Sequence, residues 1–205
     1  MSDAELERWN GRFSAPGFVF GTAPNAFLAA QAPRLTPGTS ALCVADGEGR
    51  NSVWLASQGL EVTAFDFSPV AVAKASAFAR SSGVKVDYCI STVEGWNWDE
   101  RPYDVVAGIF IQFVGPAERA RMFAGMARAL KPGGLLILEG YGPKQLEYAT
   151  GGPKKLENLY TEALLRESFK GLEILHLASY DAEVDEGAGH KGMSALVDLV
   201  VRHPA

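Results

Sequence analysis

Short apolar runs alternate with stretches of helical periodicity along most of the chain. The apolar runs have the length and composition of strands, and the periodic stretches have the spacing of amphipathic helices. The strand pattern covers residues 41–45, 61–65, 85–90, 105–109, 135–138, 172–178 and 195–201; the helix pattern covers residues 27–32, 51–57, 70–81, 118–130 and 161–168. This alternation predicts an α/β fold with a doubly wound, mostly parallel, seven-stranded sheet.

The last two strand patterns break this alternation. No helical pattern separates residues 172–178 from residues 195–201, so these strands are predicted to form an antiparallel C-terminal pair. The stretch between them, residues 179–194, is acidic, contains glycine and has no helical period. It is predicted to be a loop, and loops of this length are often functional.

Composition and charge narrow the class of protein. With 205 residues, 47% of them hydrophobic and 21% charged, the chain has globular composition and enough apolar material for a sizeable core. The net charge of −5 is spread along the chain without a Lys/Arg cluster, which disfavours a nucleic-acid partner. No apolar run approaches the roughly 20 residues of a membrane span, and no signal peptide is visible at the start.

The two cysteines favour a reducing location. Cys43 and Cys89 fall in two predicted strands that a third strand is expected to separate. Neighbouring strands lie about 4.8 Å apart, so the two Cα atoms would exceed the ~7 Å limit of a disulfide. The chain is therefore predicted to lack a disulfide and to be a soluble, cytoplasmic protein.

A glycine-rich turn follows the first predicted strand. Residues 46–51, Asp-Gly-Glu-Gly-Arg-Asn, lead directly into a helix. Glycines let the backbone turn tightly and approach a ligand, and the helix N-terminus offers N–H groups to a negative group. Asp66 ends the second strand, roughly 20 residues past the glycines, where a carboxylate can accept hydrogen bonds from ribose hydroxyls. The turn and this acid together predict a nucleotide site.

Two features disfavour a dinucleotide at this site. Ser52 stands where the third glycine of the dinucleotide fingerprint would fall. The antiparallel C-terminal pair also differs from the regular strand–helix continuation of a dinucleotide-binding fold. NAD is therefore the alternative cofactor, and an NAD-dependent oxidoreductase is the alternative enzyme.

Four segments resemble the motifs of class I S-adenosylmethionine (SAM)-dependent methyltransferases, and more narrowly those of the small bacterial group related to tellurite- and thiopurine-methylating enzymes. These segments are LCVADGEGRNS at residues 42–52, VTAFDFS at 62–68, YDVV at 103–106 and LKPGGL at 130–135. The chain departs from the family at Cys43, where an acid is usual, and at Ala45, where glycine is usual. The resemblance implies a Rossmann-like methyltransferase fold, SAM as cofactor, and methyl transfer to a small molecule.

The resemblance also implies which residues bind the cofactor. They come from the glycine-rich turn, the ends of the second and fourth strands and the turn after the third: Ala45, Asp46, Gly47, Glu48, Gly49, Arg50, Asn51, Asp66, Phe67, Ser68, Thr92, Val93, Glu94, Ile109 and Phe110. An N-terminal segment covers the cofactor in this family. Residues 1–38 would be this lid, with Trp9, Phe13 and Phe20 as its aromatic contacts, ahead of a SAM-binding domain at residues 39–205.

The acceptor side is less defined by the sequence. Substrate groups in this fold come from the N-terminal cover and from loops beyond the strand ends. The candidates are Arg12, Gln112, Tyr141 and His190, and none is singled out as catalytic. The methyl group of SAM is already activated on a sulfonium, so no metal is predicted. The acceptor is expected to be a thiol, a metalloid oxyanion or a similar nucleophile.

One more alternative stays open at this point. No side chain is an unambiguous general base, so a SAM-binding module without catalysis has the same sequence features. A soft anion or thiolate needs no base, however, so methyl transfer remains the favoured function. The sequence does not determine the oligomeric state.

Overall fold

The structure is a computed structural model that describes residues 2–187 and 189–205. The predicted extension 1–38 and the predicted loop 179–194 each include one residue outside these ranges. Seven strands form one sheet in the order β3-β2-β1-β4-β5-β7-β6. The chain divides into two compact units, the first comprising residues 2–96 with 186, 187 and 189, and the second comprising residues 97–185 and 190–205.

The strands have the directions that the sequence predicts. Pairing is parallel for β1 with β2, β2 with β3 and β4 with β5, and it is antiparallel for β5 with β7 and β6 with β7. The strand bounds are Ser40–Val44 (β1), Glu61–Asp66 (β2), Val86–Ile90 (β3), Tyr103–Ile109 (β4), Leu130–Tyr141 (β5), Glu173–Asp185 (β6) and Lys191–Arg202 (β7). The predicted doubly wound α/β fold is confirmed.

Seven α-helices lie in the part of the chain that the structure describes. Their bounds are Asp3–Phe13 (α1), Ala26–Ala30 (α2), Arg50–Ser57 (α3), Pro69–Ser81 (α4), Pro116–Arg128 (α5), Gln145–Tyr148 (α6) and Glu162–Ser168 (α7), with 3₁₀ turns at Ala32–Arg34 and Leu156–Asn158. The start of α4 follows from local sequence, because the Ser68 hydroxyl accepts the N–H of Ala71 and Pro69 occupies the first helical position. Within the described ranges, no helix is long and apolar enough to cross a membrane.

Helix α1 was not predicted. Its start carries a capping box, in which the Ser2 hydroxyl accepts the N–H of Glu5 and the Glu5 carboxylate accepts the N–H of Ser2. Leu6, Trp9 and Phe13 also have helical spacing. The signal was therefore present in the sequence, in a segment that is otherwise polar.

The predicted loop at residues 179–194 is wrong over most of its length. β6 continues to Asp185 and β7 begins at Lys191, so the two strands form one long hairpin whose last paired residues are Asp185 and Lys191. An antiparallel ladder satisfies backbone groups whatever the side chains are, so an acidic, solvent-facing strand is stable. Val184 still packs on Tyr141 and Leu196, which fixes one face of the hairpin.

The first unit confirms the separation of the cysteines. β2 lies between β1, which carries Cys43, and β3, which carries Cys89. Cys43 is buried and Cys89 is exposed, and both are free thiols. Within this unit, the carboxyl ends of β1 and β2 lead into the glycine-rich turn and into Asp66.

Candidate active site

The glycine-rich turn has a backbone that favours glycine. Gly47 and Gly49 have φ of 63° and 93°, and Ala45, where the resembled family has glycine, has φ of 49°. Gly49 is the N-cap of α3 and has no side chain to cap the helix, and in the first turn the N–H of Ser52 donates to the Asp46 carboxylate. A Cβ atom on Gly49 would lie 2.8 Å from the Ala75 Cβ, so helix α4 packs directly against the turn.

Asp66 connects the end of β2 to this turn. Its Oδ2 accepts the N–H of Gly47 at 2.9 Å, and its Oδ1 accepts the N–H of Ser68 at 2.9 Å. The side chain is buried. Burial raises the pKa of Asp66, and the hydrogen bonds from Ser68, Gly47 and Phe67 oppose that rise. The carboxylate therefore lies at the position that the sequence predicts for a ribose-binding acid.

Two other residues of the turn, Glu48 and Asn51, hold the N-terminal segment. The buried Glu48 carboxylate forms an ion pair with Lys74 and accepts the N–H of Val19 at 2.7 Å. The Asn51 Oδ1 accepts the N–H of Asn25 at 3.0 Å. The side chains of these turn residues therefore contact protein, and a cofactor would meet their backbone.

Arg50 binds the turn between β6 and β7. Its guanidinium lies 2.7 Å from the Glu186 carboxylate, and both side chains are largely buried. The same carboxylate accepts the Asn25 amide and the N–H of Ala26, each at 3.0 Å. Glu186 therefore ties the hairpin turn to the start of α2 and to the glycine-rich turn.

The predicted lid residues lie together in the structure. The rings of Trp9 and Phe13 stack with centroids 5.3 Å apart, and Phe20 lies 6.4 Å from each of them. The Arg12 guanidinium lies over Trp9 at 5.1 Å and over Phe20 at 5.0 Å, which are cation–π distances. Phe13 reaches the turn, since a Cβ on Gly47 would lie 3.8 Å from its Cζ.

The residues predicted to hold adenine form a tight turn after β3. The Thr92 carbonyl accepts the N–H of Trp96 at 3.0 Å, and the Thr92 hydroxyl accepts the N–H of Gly95 at 3.0 Å. Val93 is buried and Glu94 is exposed, while Phe67, which follows β2, is half-buried. The N–H of Ser91 donates to the Asp66 carbonyl at 3.0 Å, which joins this turn to the end of β2.

In the second unit, three predicted residues form an aromatic cluster at the end of β4. The Phe110 ring lies 4.7 Å from Tyr141 and 4.2 Å from His190, and Tyr141 meets His190 edge-on at 5.9 Å. His190 is buried, although a histidine in a glycine-containing loop is more often exposed. Ile109 ends β4, and Phe110 follows it with φ of 55°. A left-handed backbone at a bulky residue is strained, and such strain concentrates at functional sites.

Gln112 is bound inside the protein in this structure. Its amide donates to the carbonyls of Tyr141 and Asn158 at 2.9 and 3.0 Å, and its oxygen accepts the N–H of Tyr141. The side chain therefore fixes the segment that follows β5. Tyr141 lies in the cluster partly because Gln112 holds its backbone.

Sequence reasoning missed four residues that form contacts around the glycine-rich turn and the end of β2: Asn10, Lys74, Tyr88 and Glu186. The Ser68 hydroxyl donates to the Asn10 Oδ1 at 2.6 Å, and the Tyr88 hydroxyl lies 2.9 Å from the Ser52 hydroxyl. All four reach their partners across long sequence separations, so no local pattern could have found them. Among the described residues, no group of three or more His, Cys, Asp or Glu is arranged to hold a metal ion.

Comparison with known proteins shows what this chain is similar to. A family profile described as a methyltransferase domain matches residues 41–134. The ubiquinone biosynthesis O-methyltransferase of Rickettsia conorii is 32% identical to this chain over 111 residues, which are 54% of this chain and 37% of the relative. The chain therefore spans less than half the length of that relative.

Solved methyltransferase structures share the fold. TehB from Haemophilus influenzae has a TM-score of 0.74 at 17% identity, over 97% of this chain and 67% of TehB. Magnesium protoporphyrin IX methyltransferase (ChlM) from Synechocystis PCC 6803, with bound SAH (S-adenosylhomocysteine), has a TM-score of 0.69 at 18% identity, over 98% and 94% of the two chains. Residues 41–134 therefore match a methyltransferase domain profile, and the chain has the Rossmann-like fold of these solved methyltransferases.

Proposed function

We propose that this chain transfers the methyl group of SAM to a small-molecule nucleophile. The observation that carries the proposal is the Asp66 carboxylate, which meets the N–H of Gly47 at 2.9 Å inside the matched methyltransferase domain. A buried carboxylate at the end of β2 beside a glycine-rich turn fits a nucleoside ribose. The N-terminus of α3, which follows the glycine-rich turn, fits the carboxylate of the methionine part of SAM.

We propose that the cofactor-binding set is the one that the sequence predicts. Asp66 would hold the ribose, and the backbone of residues 45–51 would hold the methionine part. Adenine would contact Phe67 and the turn at residues 92–94, and Ile109 and Phe110 would complete the set. SAM supplies a methyl group on a positively charged sulfur, so the protein's task is to orient the acceptor and exclude water.

We propose the aromatic cluster at the end of β4 as the acceptor contact. Phe110, Tyr141 and His190 offer two ring faces, a phenol and an imidazole within one cluster. An imidazole can remove a proton from a hydroxyl or amine acceptor, whereas a thiolate would need only the apolar rings. Arg12 is the candidate contact for a negative group on the acceptor.

We propose residues 1–38 as a lid over the cofactor. Phe13 lies beside the glycine-rich turn with Trp9 and Phe20 packed against it, and Glu48 and Lys74 bind this segment through partly buried polar contacts. Apolar rings held against a nucleotide turn would exclude water from the reacting atoms. The remainder of the chain, residues 39–205, would form the SAM-binding domain.

The acceptor is proposed to be a thiol, a metalloid oxyanion or a hydroxyl compound. The first two follow from the resemblance to the tellurite- and thiopurine-methylating group. The third follows from the O-methyltransferase relative, which matches about half of this chain. We propose that the protein acts on soluble small molecules in the cytoplasm, without nucleic acid or membrane.

Calorimetric titration with SAM, SAH and NAD tests the cofactor. Saturable binding of SAM and SAH with no response to NAD is the expected result. Transfer of labelled methyl from SAM to any member of a panel of an aromatic thiol, tellurite and catechol would then exclude a binding module without catalysis. Binding of NAD alone would overturn the proposal.

The acceptor cluster is tested by His190→Gln, with His203→Gln as the matched control because His203 lies near the C-terminus, away from this cluster. The His190 variant is expected to bind SAM normally and to lose turnover with the hydroxyl acceptor more than with the thiol. Equal turnover in both variants with every acceptor would remove His190 from the acceptor site.

A further inference from the structure

An acidic side chain that the resembled family has at the end of the first strand is replaced in this chain by Cys43, and an acid follows three residues later at Asp46. The resembled family usually has an acid at the position of Cys43, and this chain has a buried thiol there. Burial raises the pKa of Cys43 well above its ordinary value, and nearby Asp46 raises it further, so Cys43 stays neutral. The negative charge nearest to this position along the chain is therefore that of Asp46.

The Asp46 carboxylate is built into the start of α3. Its Oδ1 accepts the N–H of Ser52 at 3.3 Å, and its Oδ2 accepts the Ser52 hydroxyl. The Ser52 hydroxyl also lies 2.9 Å from the Tyr88 hydroxyl on β3. These contacts fix the carboxylate within the turn, where Gly47 and Gly49 keep the backbone open to a ligand.

SAM and its product SAH differ in charge at one atom. SAM carries a sulfonium and SAH a neutral thioether, while both carry the same ammonium, carboxylate and nucleoside. A fixed, partly buried carboxylate attracts the sulfonium in a medium of reduced dielectric constant. It gains no such attraction from the neutral sulfur of SAH.

We infer that Asp46 is a specificity-determining residue that makes the site prefer the cationic cofactor SAM over the neutral-sulfur product SAH. This inference rests on the proposed function, since it assigns a role within the same SAM site. The preference lowers product inhibition, because methyl transfer removes the charge that Asp46 attracts. Asp46 acts through its charge and takes no part in bond making.

The preference is expected to depend on pH. Burial raises the pKa of Asp46 to about 6, the two bonds from Ser52 oppose that rise, nearby Asp66 adds to it, and Arg50 lowers the pKa. Cys43 and Tyr88 also face the carboxylate, and burial raises the pKa of both, so neither ionises in this range. Protonation of Asp46 below pH 6 then removes the charge that distinguishes the two ligands.

The test is the ratio of SAM affinity to SAH affinity, measured by calorimetry from pH 5.0 to 7.5. In the wild type, the ratio is expected to fall roughly fivefold or more as pH falls from 7.5 to 5.0. Asp66 also titrates from a raised pKa, but its proposed partner, the ribose, is common to both ligands. Its titration therefore cancels in the ratio.

Two variants and one control sharpen the test. Asp46→Asn is expected to hold the ratio at its low value at every pH. Ser52→Ala keeps the charge and removes a bond that lowers the pKa of Asp46, so the fall in the ratio should move to higher pH. Asp87→Asn, at an exposed site on β3, should behave as the wild type.

The outcomes separate this inference from the proposed function. Binding of both ligands with the same ratio in wild type and Asp46→Asn at every pH would overturn the role of Asp46 and leave the methyltransferase proposal standing. Absence of binding of either ligand to the wild type would overturn both. A variant that unfolds is recognised by loss of SAH binding, and Ser52→Ala then decides the inference through the shifted pH profile.

Discussion

The Lys74 ammonium on α4 forms an ion pair with the Glu48 carboxylate in the glycine-rich turn, and the Glu48 side chain is only 3% exposed. The same ammonium donates to the backbone carbonyls of Phe13, Ala15 and Gly17. One lysine therefore joins the glycine-rich turn to the segment that we propose as a lid.

Lys74→Met is expected to destabilise the protein by about 3 kcal/mol, because it leaves the buried Glu48 carboxylate without its cation. The N-terminal segment also loses three hydrogen bonds, so SAM should enter and leave faster. Urea denaturation measures the first effect, and stopped-flow fluorescence measures the second. Lys170→Met is the control, since its pair with Glu167 is exposed and its loss should leave the stability nearly unchanged.

Asp66→Asn tests the ribose assignment with little change of shape. Hydrogen bonds to a charged group contribute about 1.5–3 kcal/mol, so the affinities for SAM and SAH should both fall at least about tenfold. Calorimetry at pH 7.5 gives both affinities. An unchanged affinity for both ligands would show that another residue holds the ribose.

Gly49→Ala is expected to destabilise the protein by about 2–4 kcal/mol. A methyl group there would approach the Ala75 Cβ to 2.8 Å and the Tyr88 hydroxyl to 2.9 Å, at a φ of 93°. Gly11→Ala is the matched control, because a Cβ at this site in α1 meets nothing within 4 Å. That change should stabilise the helix by up to about 1 kcal/mol, so thermal unfolding should shift in opposite directions.

The stability of the wild type should decrease between pH 4 and pH 7 relative to that of Asp46→Asn. The pKa of Asp46 is raised from 3.8 to about 6, so the folded state holds a proton that the unfolded chain releases. The free energy of unfolding is therefore lowered by about 3 kcal/mol above pH 6, where Asp46 is ionised in the folded state, and is not lowered well below pH 4. Urea denaturation of both proteins at pH 4.0, 5.5 and 7.5 measures this difference, and parallel pH profiles would contradict it.

Parts of the fold could be predicted because their causes are local. Ser68 and Pro69 specify the start of α4, and strands alternate with helices from β1 to β3 and again from β4 to β5. Helix α1 has the same kind of local cause in its capping box, and closer attention to Ser2 and Glu5 would have found it. The long β6–β7 hairpin is different, because its pairing depends on a partner strand rather than on its own composition.

The positions of the glycine-rich turn and of Asp66 could also be predicted from the sequence. The turn follows β1 and Asp66 ends β2, and the carboxyl ends of neighbouring parallel strands lie at the same edge of the sheet. The burial of His190 could not be predicted from the sequence. It depends on Phe110, which follows β4, and on Tyr141, which ends β5.

By itself, the sequence determined the succession of the strands along the chain, their directions, and the acid at the end of β2, because these follow from periodicity, turn residues and spacing. It also showed the motifs that resemble those of methyltransferases. Only the tertiary structure decided what the charged residues of the glycine-rich turn contact. Glu48 meets Lys74, Arg50 meets Glu186, and Asp46 is fixed by Ser52 beside Tyr88. A charge finds its partner through space, and chain folding brings together residues that no local pattern relates.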